Sequence, residues 1–401
     1  MVQQISGTQG NVLDSLLQSN SSLFSNVLSQ KDKFNLQVIY TQIDRDEQNN
    51  PTFTDYTFNL EDPRYFYPAS TVKMPVAFLA LEKLNQLNIP GLNRSSAMIT
   101  DSNFSGQKVV LTHPVAGESK PSVEQYIKEI FLVSDNEAFN RLYEFVGPEN
   151  INRSLHQKGY TGAEIRHRLS IPLSDEENRH TNAIQFYDTV GNLLHLQPAA
   201  YNAQVYNKRN NQLGKGYYKN GVLVNEPFDF SAKNRFPLQD LHQVLRSVLF
   251  PESVPAKNRF NFSPNDYAFL YRWMSSYPTE TTYPQYDSSA YWNSYVKFLL
   301  FGSAKEKPPK GIRIFNKVGD AYGFLIDVAY VVDFERKIEF MLSATLLCNT
   351  DEIFNDDKYE YDEIGFPFMK QLGQVVYDYE KNRVKKHLPY LGRFIVQYDQ
   401  E

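Results

Sequence analysis

The sequence predicts an α+β fold: one antiparallel sheet built from the N- and C-terminal segments, flanked by helices, with an all-helical lobe inserted between its two halves. Three observations carry this. Apolar and polar residues alternate over 34–41 and again over 52–60, the period of half-buried strands. From Ser70 to Leu87 the chain is apolar nearly all round a helical period, so that helix should be buried. Strand character then returns in three runs, 312–318, 324–332 and 338–347. Strand pair, helical block, strand trio and final helix is an α+β order.

Taken in sequence, residues 1–33 carry a weak helical pattern (Val12, Leu16, Leu17, Phe24, Val27, Leu28) that predicts one helix across the sheet. The strand pair follows, joined through Asn49-Asn50-Pro51. Pro75 is tolerated because it falls in the first turn of its helix, where an N–H has no intrahelical acceptor. Pro90-Gly91 ends that helix, and 92–120 read as loop. Ser122-Val123-Glu124-Gln125 has capping-box form and opens a helix that stops at Ser134-Asp135-Asn136. A second helix runs to Gly147-Pro148 and a third to Gly159. Residues 160–182 are irregular, and 183–197 read as helix. The stretch from 200 to 310 is rich in Tyr, Asn and Pro, with a hairpin turn at Lys219-Asn220-Gly221 and helices near 238–249 and 264–275. Turns at Asp320 and 333–336 separate the last strands, and a helix near 362–380 precedes a basic, aromatic tail. The expected division is 1–66 with 310–401 as the sheet part, 67–200 as the helical part and 201–309 as an insertion, in one composite catalytic domain.

At 401 residues, 41% of them hydrophobic, the chain can bury a sizeable core. A net charge of -5 without a dense Lys/Arg block leaves no footprint for nucleic acid; Val384-Lys385-Lys386-His387 reads as a solvated helix end. No apolar run reaches about 18 residues, so no membrane-spanning helix is expected. Met1 to Gly10 is polar and has no signal-peptide core. The single Cys348 excludes an internal disulfide and a cysteine metal site, and reads as a buried thiol. The seven histidines (113, 156, 167, 180, 195, 242, 387) lack metal-ligand spacing. No metal or other cofactor is therefore expected, and His167 and His180 read as surface residues. Oligomeric state is not legible.

Ser70 and Lys73 stand three apart, which stacks their side chains on one helix face. A serine hydroxyl needs a base to become a nucleophile, and an amine kept neutral by its neighbours can serve. The same spacing at Ser105–Lys108 encloses a glycine and reads as loop. Ser134 sits at a helix junction, where its hydroxyl can relay a proton from Lys73 to a leaving nitrogen. Asn136 offers an amide to Lys73 and to a substrate carbonyl, or an N-cap to its helix; Asp135 braces the loop. Lys317 ends a predicted strand, placed to attract a substrate carboxylate and to lower the pKa of Lys73 by like-charge repulsion. Gly319 would let a substrate backbone lie against that strand. Lys219-Asn220-Gly221 has a similar pattern but belongs to a turn.

Ser70-x-x-Lys73, Ser134-Asp135-Asn136 and Lys317-Val318-Gly319, in that order, resemble the motif set of class A β-lactamases and penicillin-binding proteins. The resemblance to this serine β-lactamase superfamily covers most of 34–199 and 310–380. It extends to Phe66–Lys73, to Val146-Gly147-Pro148-Glu149 and to Gly323–Ala329. It implies a β-lactamase-like fold and a serine hydrolase that forms an acyl-enzyme on Ser70. The implied substrates are β-lactams or D-alanyl peptides, bound through Asn136, Lys317, Val318 and Gly319. The backbone N–H groups of Ser70 and Asp320 would form the oxyanion hole. It also implies an exported or periplasmic protein. Two departures stand out. Val318 replaces the usual Thr or Ser, losing a hydroxyl for a substrate carboxylate. The glutamate that activates the deacylating water should fall near Arg168-Leu169-Ser170-Ile171-Pro172, and none is there; Glu164, Glu176 and Glu177 read as solvated loop residues. That absence favours a peptidase, transpeptidase or esterase with slow deacylation, or a binding protein that does not turn over. Residues 201–309 exceed the family's length by roughly 80 residues. Their aromatic side chains read first as core, with a peptide- or glycan-binding role as the alternative.

Overall fold

The computed structural model describes residues 11–61, 64–102, 109–111 and 120–399. Five strands form the central antiparallel sheet: β1 (Gln37–Arg45), β2 (Pro51–Phe58), β3 (Ile312–Ala321), β4 (Phe324–Asp333) and β5 (Ile338–Leu347). Their spatial order is β3-β4-β5-β1-β2. The two ends of the chain meet at the β1–β5 pair, where Gln37 faces Thr345 and Gln42 faces Phe340. The expected α+β layout is therefore present.

Every residue of β4 is buried, the mark of a strand covered on both faces. On one face Val38, Tyr40, Val331 and Phe340 pack against Leu13, Leu17 and Phe24 from the N-terminal helices and Met369 and Leu372 from helix Phe366–Asn382. On the other, Ile39, Val328, Tyr330 and Met341 meet the helical lobe and helix Leu238–Leu249. Each such side chain stabilises the fold by about 1.5–3 kcal/mol through burial.

The N-terminal segment is two helices, Val12–Ser19 and Ser21–Ser29, where one was expected. Asn20 ends the first with its φ at -111°. Within the expected 92–120 loop, Ala97–Thr100 is a strand. It pairs with Ile184–Tyr187, which pairs in turn with Leu193–Gln197, so the helix expected over 183–197 is a small sheet. Ile184 and Phe186 are buried while Gln185 and Tyr187 are half-buried, a period of two that four residues state too briefly to outweigh a helical reading. Ser105–Lys108, His113 and Met1–Gly10 lie outside the described residues.

The last strands run slightly further than expected. The turn after β3 falls at Tyr322-Gly323, both with positive φ, and Asp320 stays in the strand. The final helix starts at Phe366, after a single π turn at Tyr361–Gly365. Asn220 and Gly221 take φ of 52° and 77° between Gly216–Lys219 and Val222–Val224, the two positive angles a tight hairpin demands.

Helices Leu238–Leu249 and Pro264–Ser275 stand where the sequence put them. They close over the sheet: Tyr271 meets Phe315 of β3 edge-on and donates its hydroxyl proton to the Val248 carbonyl. The chain then reaches an arm, residues 291–303, that leads to the cleft.

Candidate active site

Ser70 lies in a 3-10 turn, Ala69–Val72, one turn ahead of the α-helix that begins at Lys73. Ala69 has φ of 46°, a left-handed conformation uncommon for a residue with a side chain. Lys73 is fully buried. Its Nζ has four polar neighbours: Ser70 Oγ at 2.8 Å, Asn136 Oδ1 at 2.7 Å, Ser134 Oγ at 3.3 Å and the Ser134 carbonyl. The carbonyl and the amide oxygen can only accept, so they take two N–H bonds. The remaining position of the nitrogen is aimed at Ser70 Oγ. Burial, reinforced by the Lys317 charge, holds the Lys73 pKa well below its ordinary 10.5. In its neutral form the amine can present its lone pair to the serine proton.

The turn carrying Ser134 joins helices Val123–Leu132 and Asn136–Val146. Ser122 opens the first by accepting from the Gln125 N–H. Asp135 caps the second, accepting from the Ala138 N–H at 2.8 Å, so the N-cap alternative for Asn136 is not what the structure adopts. Freed from that task, Asn136 accepts from Lys73 and donates Nδ2 to Ser170 Oγ at 2.9 Å. Ser134 itself has φ of 59°. Its Oγ receives the Lys317 Nζ at 2.8 Å and the longer bond from Lys73, so one hydroxyl bridges both lysines.

β3 is the edge strand beside Ser70. A Cβ on Gly319 would lie 2.9 Å from the Pro68 carbonyl and 3.0 Å from the backbone nitrogens of Ser70 and Thr71. Only glycine allows the strand this close to the turn that carries Ser70. Lys317 is turned inward and also donates to the Val318 carbonyl at 2.8 Å. Burial brings its pKa down to about 7, against the pull of Asp320 and Asp327. The Val318 side chain is 1% exposed and packs with the apolar face of the sheet.

Two cavities open on Ser70. The first, about 310 Å³, is lined by Leu169, Ser170, Asn136 and Tyr67, with Asp320 and Asp357 opposite. Asn140 clamps Leu169 on both sides, accepting from its N–H at 2.9 Å and donating to its carbonyl at 3.0 Å. The 168–172 segment thus brings a leucine and a serine to the cleft. Glu164 is not solvated as expected: it pairs with Arg166 at 2.7 Å and Arg209 at 3.1 Å. Glu176 is exposed, and Glu177, half-buried, closes a capping box with Ser174. His167 is also no surface residue. Its ring stacks on Tyr67, and its Nε2 accepts from the Asn234 N–H at 3.2 Å, which leaves Nδ1 to donate to the Arg168 carbonyl at 2.6 Å. Burial lowers its pKa to about 4, so it stands neutral behind the cleft. His180 is half-buried against Tyr201.

The second cavity, about 410 Å³, lies on the Ser134 and Val318 side and is walled by Tyr291, Trp292 and Tyr295. The arm bearing these rings is anchored by a network the sequence reading missed. Lys297 donates to the Met274 carbonyl and to Asn316 Oδ1, both at 2.7 Å. Asn316 donates to Asp327 at 2.7 Å, and Asp327 accepts from the Leu299 N–H at 2.9 Å. Burial pushes Lys297 down to about 7 and Asp327 up to about 6. No periodicity marks these residues; a lone lysine and aspartate inside apolar runs were the available signal.

Among the described residues no cluster of His, Cys, Asp or Glu is placed to hold a metal ion, and no helix is long and apolar enough to cross a membrane. A family model described as the β-lactamase enzyme family matches residues 21–222, half of the chain. No curated protein matches the sequence. Among solved structures, the TLA-1 extended-spectrum β-lactamase is similar with a TM-score of 0.50 at 15% identity, over 92% of this chain and 99% of that one. A β-lactamase from Sphaerobacter thermophilus DSM 20745 has a TM-score of 0.49 at 10% identity, over 92% and 98%. A point mutant of PBP-A, in an acyl-enzyme complex with penicillin G, has a TM-score of 0.46 at 14% identity, over 91% and 96%. The family match over half of the chain, with this shared fold, makes the protein a β-lactamase-like serine hydrolase: it belongs to the serine β-lactamase and penicillin-binding superfamily.

Proposed function

We propose that the protein cleaves an amide or ester by forming an acyl-enzyme on Ser70 and releases the acyl group slowly. The observation that carries this is the Lys73 nitrogen, buried, held by two obligate acceptors and 2.8 Å from Ser70 Oγ. In the acylation step Lys73 takes the hydroxyl proton while Oγ bonds to the substrate carbonyl carbon. The C–N or C–O bond then breaks, and Ser134, touching both lysines, passes a proton to the leaving atom. Backbone N–H groups of Ser70 and Asp320 are the oxyanion donors in this reading, and the close approach at Gly319 supports it. Asn136, Lys317, Val318 and Gly319 line the path of the substrate. β-Lactams and related amides are the starting substrate class, and an exported location goes with it.

The slow-release reading is favoured by Leu169 and Ser170, which occupy the wall where a water-activating carboxylate would be needed. It admits a peptidase, transpeptidase, esterase or non-turnover binder. The test is intact-mass spectrometry over time with a chromogenic β-lactam and an uncharged activated ester, on wild type and Ser70→Ala. A long-lived adduct on wild type, missing from the mutant, is expected. Rapid turnover without an accumulating adduct would sink slow release, and an adduct that survives Ser70→Ala would sink the assignment of the nucleophile.

A further inference from the structure

The larger cavity beside Ser134 has an unusual charge. Its lining includes three carboxylates, Asp135, Asp320 and Asp362, and among the described residues no lysine or arginine side chain. Lys317, the cation that would attract a substrate carboxylate, spends its contacts on Ser134 Oγ and the Val318 carbonyl. Val318, whose side chain is buried in the apolar face of the sheet, supplies no hydroxyl that could donate to an anion. Asp135 is engaged in capping its helix. Among the described residues the carboxylates of Asp320 and Asp362 make no hydrogen bond or close ion pair, although Asp320 feels the charges of Lys317 and Lys73 from outside the lining.

The opposite wall is aromatic. Trp292 and Tyr291 meet Tyr295 edge-on, with centroids 5.1 and 5.0 Å apart, so ring faces and carboxylates bound the same space. Lys305, which does not line the cavity, lies 5.0 Å over the Trp292 ring; this indole already takes a cation. Ring faces and unpaired carboxylates together attract a desolvated cation and repel an anion.

We infer that the cleft selects acyl donors that carry a cationic group, an ammonium or amidinium, on the leaving side, where this cavity would repel a carboxylate. The inference rests on the acyl-enzyme reading above and narrows its substrate class. The leaving side is assigned because the cavity holds Ser134, the residue that hands over the proton.

Three phenylacetylglycyl esters test it, with 3-hydroxybenzoate, 3-hydroxybenzamide and 3-(aminomethyl)phenol as leaving groups. They share one shape and differ in charge. Phenol release is followed by absorbance, each rate divided by that ester's rate with hydroxide, and the Ser70 adduct is followed by mass. The ammonium ester should exceed the carboxylate ester by about tenfold or more in kcat/KM, with the amide between. Asp320→Asn and Asp362→Asn should each shrink that ratio several-fold. Asp362 is exposed on its turn, so its variant reads charge with little risk to folding. Equal rates, a carboxylate preference, or a ratio that neither variant moves would overturn the inference while leaving a Ser70 adduct in view. No adduct from any ester would overturn the acyl-enzyme reading, and this inference with it.

Discussion

On one side of Ser70 the cleft wall is Leu169 and Ser170, held by Asn140 and Asn136. On the other it is Tyr291, Trp292 and Tyr295, on an arm pinned from behind by Lys297. Both walls face one nucleophile. The first is built from a leucine and a serine held by side-chain amides, in a cavity that Asp320 and Asp357 also line; the second is built from rings, in a cavity that Asp320 and Asp362 also line. The contrast separates two properties. In the proposed mechanism the first wall governs how fast an acyl group leaves, and the second governs which donor arrives. Neither wall makes the nucleophile, which depends on Lys73, Ser134 and β3.

The largest effect should therefore come from the machinery common to both walls. Lys73→Met keeps an unbranched side chain, one atom shorter, and removes the amine. It should cut the rate of Ser70 acylation by the neutral ester by about 10²–10⁴, read by adduct mass in single turnover. With wild type the same rate should fall as pH drops through the Lys73 pKa, which burial and Lys317 hold well below 10.5. A limb that rises only near 10.5 would show that the lysine is charged at rest.

Next is the first wall. Leu169→Glu would bring a carboxylate to the cavity beside Ser70, and deacylation should rise by about tenfold or more with acylation nearly unchanged. Burying that carboxylate costs stability, so thermal denaturation should be run beside the kinetics. If adduct lifetime does not change, the Leu169 wall does not control release.

The smallest effect concerns the anchor of the second wall. Lys297 has a folded pKa of about 7 against 10.5 unfolded. Between those values the unfolded chain binds the extra proton, so this group's contribution to stability grows as pH rises. Lys297→Met should be destabilised at pH 7, with the Tm gap from wild type widening by on the order of 2 °C by pH 9. A gap that does not widen would mean the amine stays charged in the folded arm.

These differences also explain what could be read in the chain. Helices 238–249 and 264–275, the three C-terminal strands and the Asn220-Gly221 hairpin were legible because each repeats a local period or a turn rule several times. Residues 97–100 and 184–187 were not, since four residues state a period too briefly. Ser70 and Lys73, the proposed nucleophile and base, and the Ser134 turn were legible as spaced residue types. The arm was not: Tyr291, Trp292 and Tyr295 have no helical or strand spacing, and their place depends on a buried Lys297–Asn316–Asp327 contact set that forms only in three dimensions. His167 and Glu164 looked like loop polar residues for the same reason. Their partners, Asn234 and Arg209, lie more than 40 residues away along the chain.

The β1–β5 pair has one further consequence, in the order of synthesis. Gln37 leaves the ribosome long before its partner Thr345 is made. β1 and β2 must wait as a hairpin with an open edge until β5 has emerged. Lys317 arrives in that same late stretch, so the nascent chain holds Ser70 and Lys73 long before it holds a complete cleft. Activity should thus appear only once β5 has emerged, and a chain truncated before β5 should expose a sticky strand edge rather than a partly working enzyme.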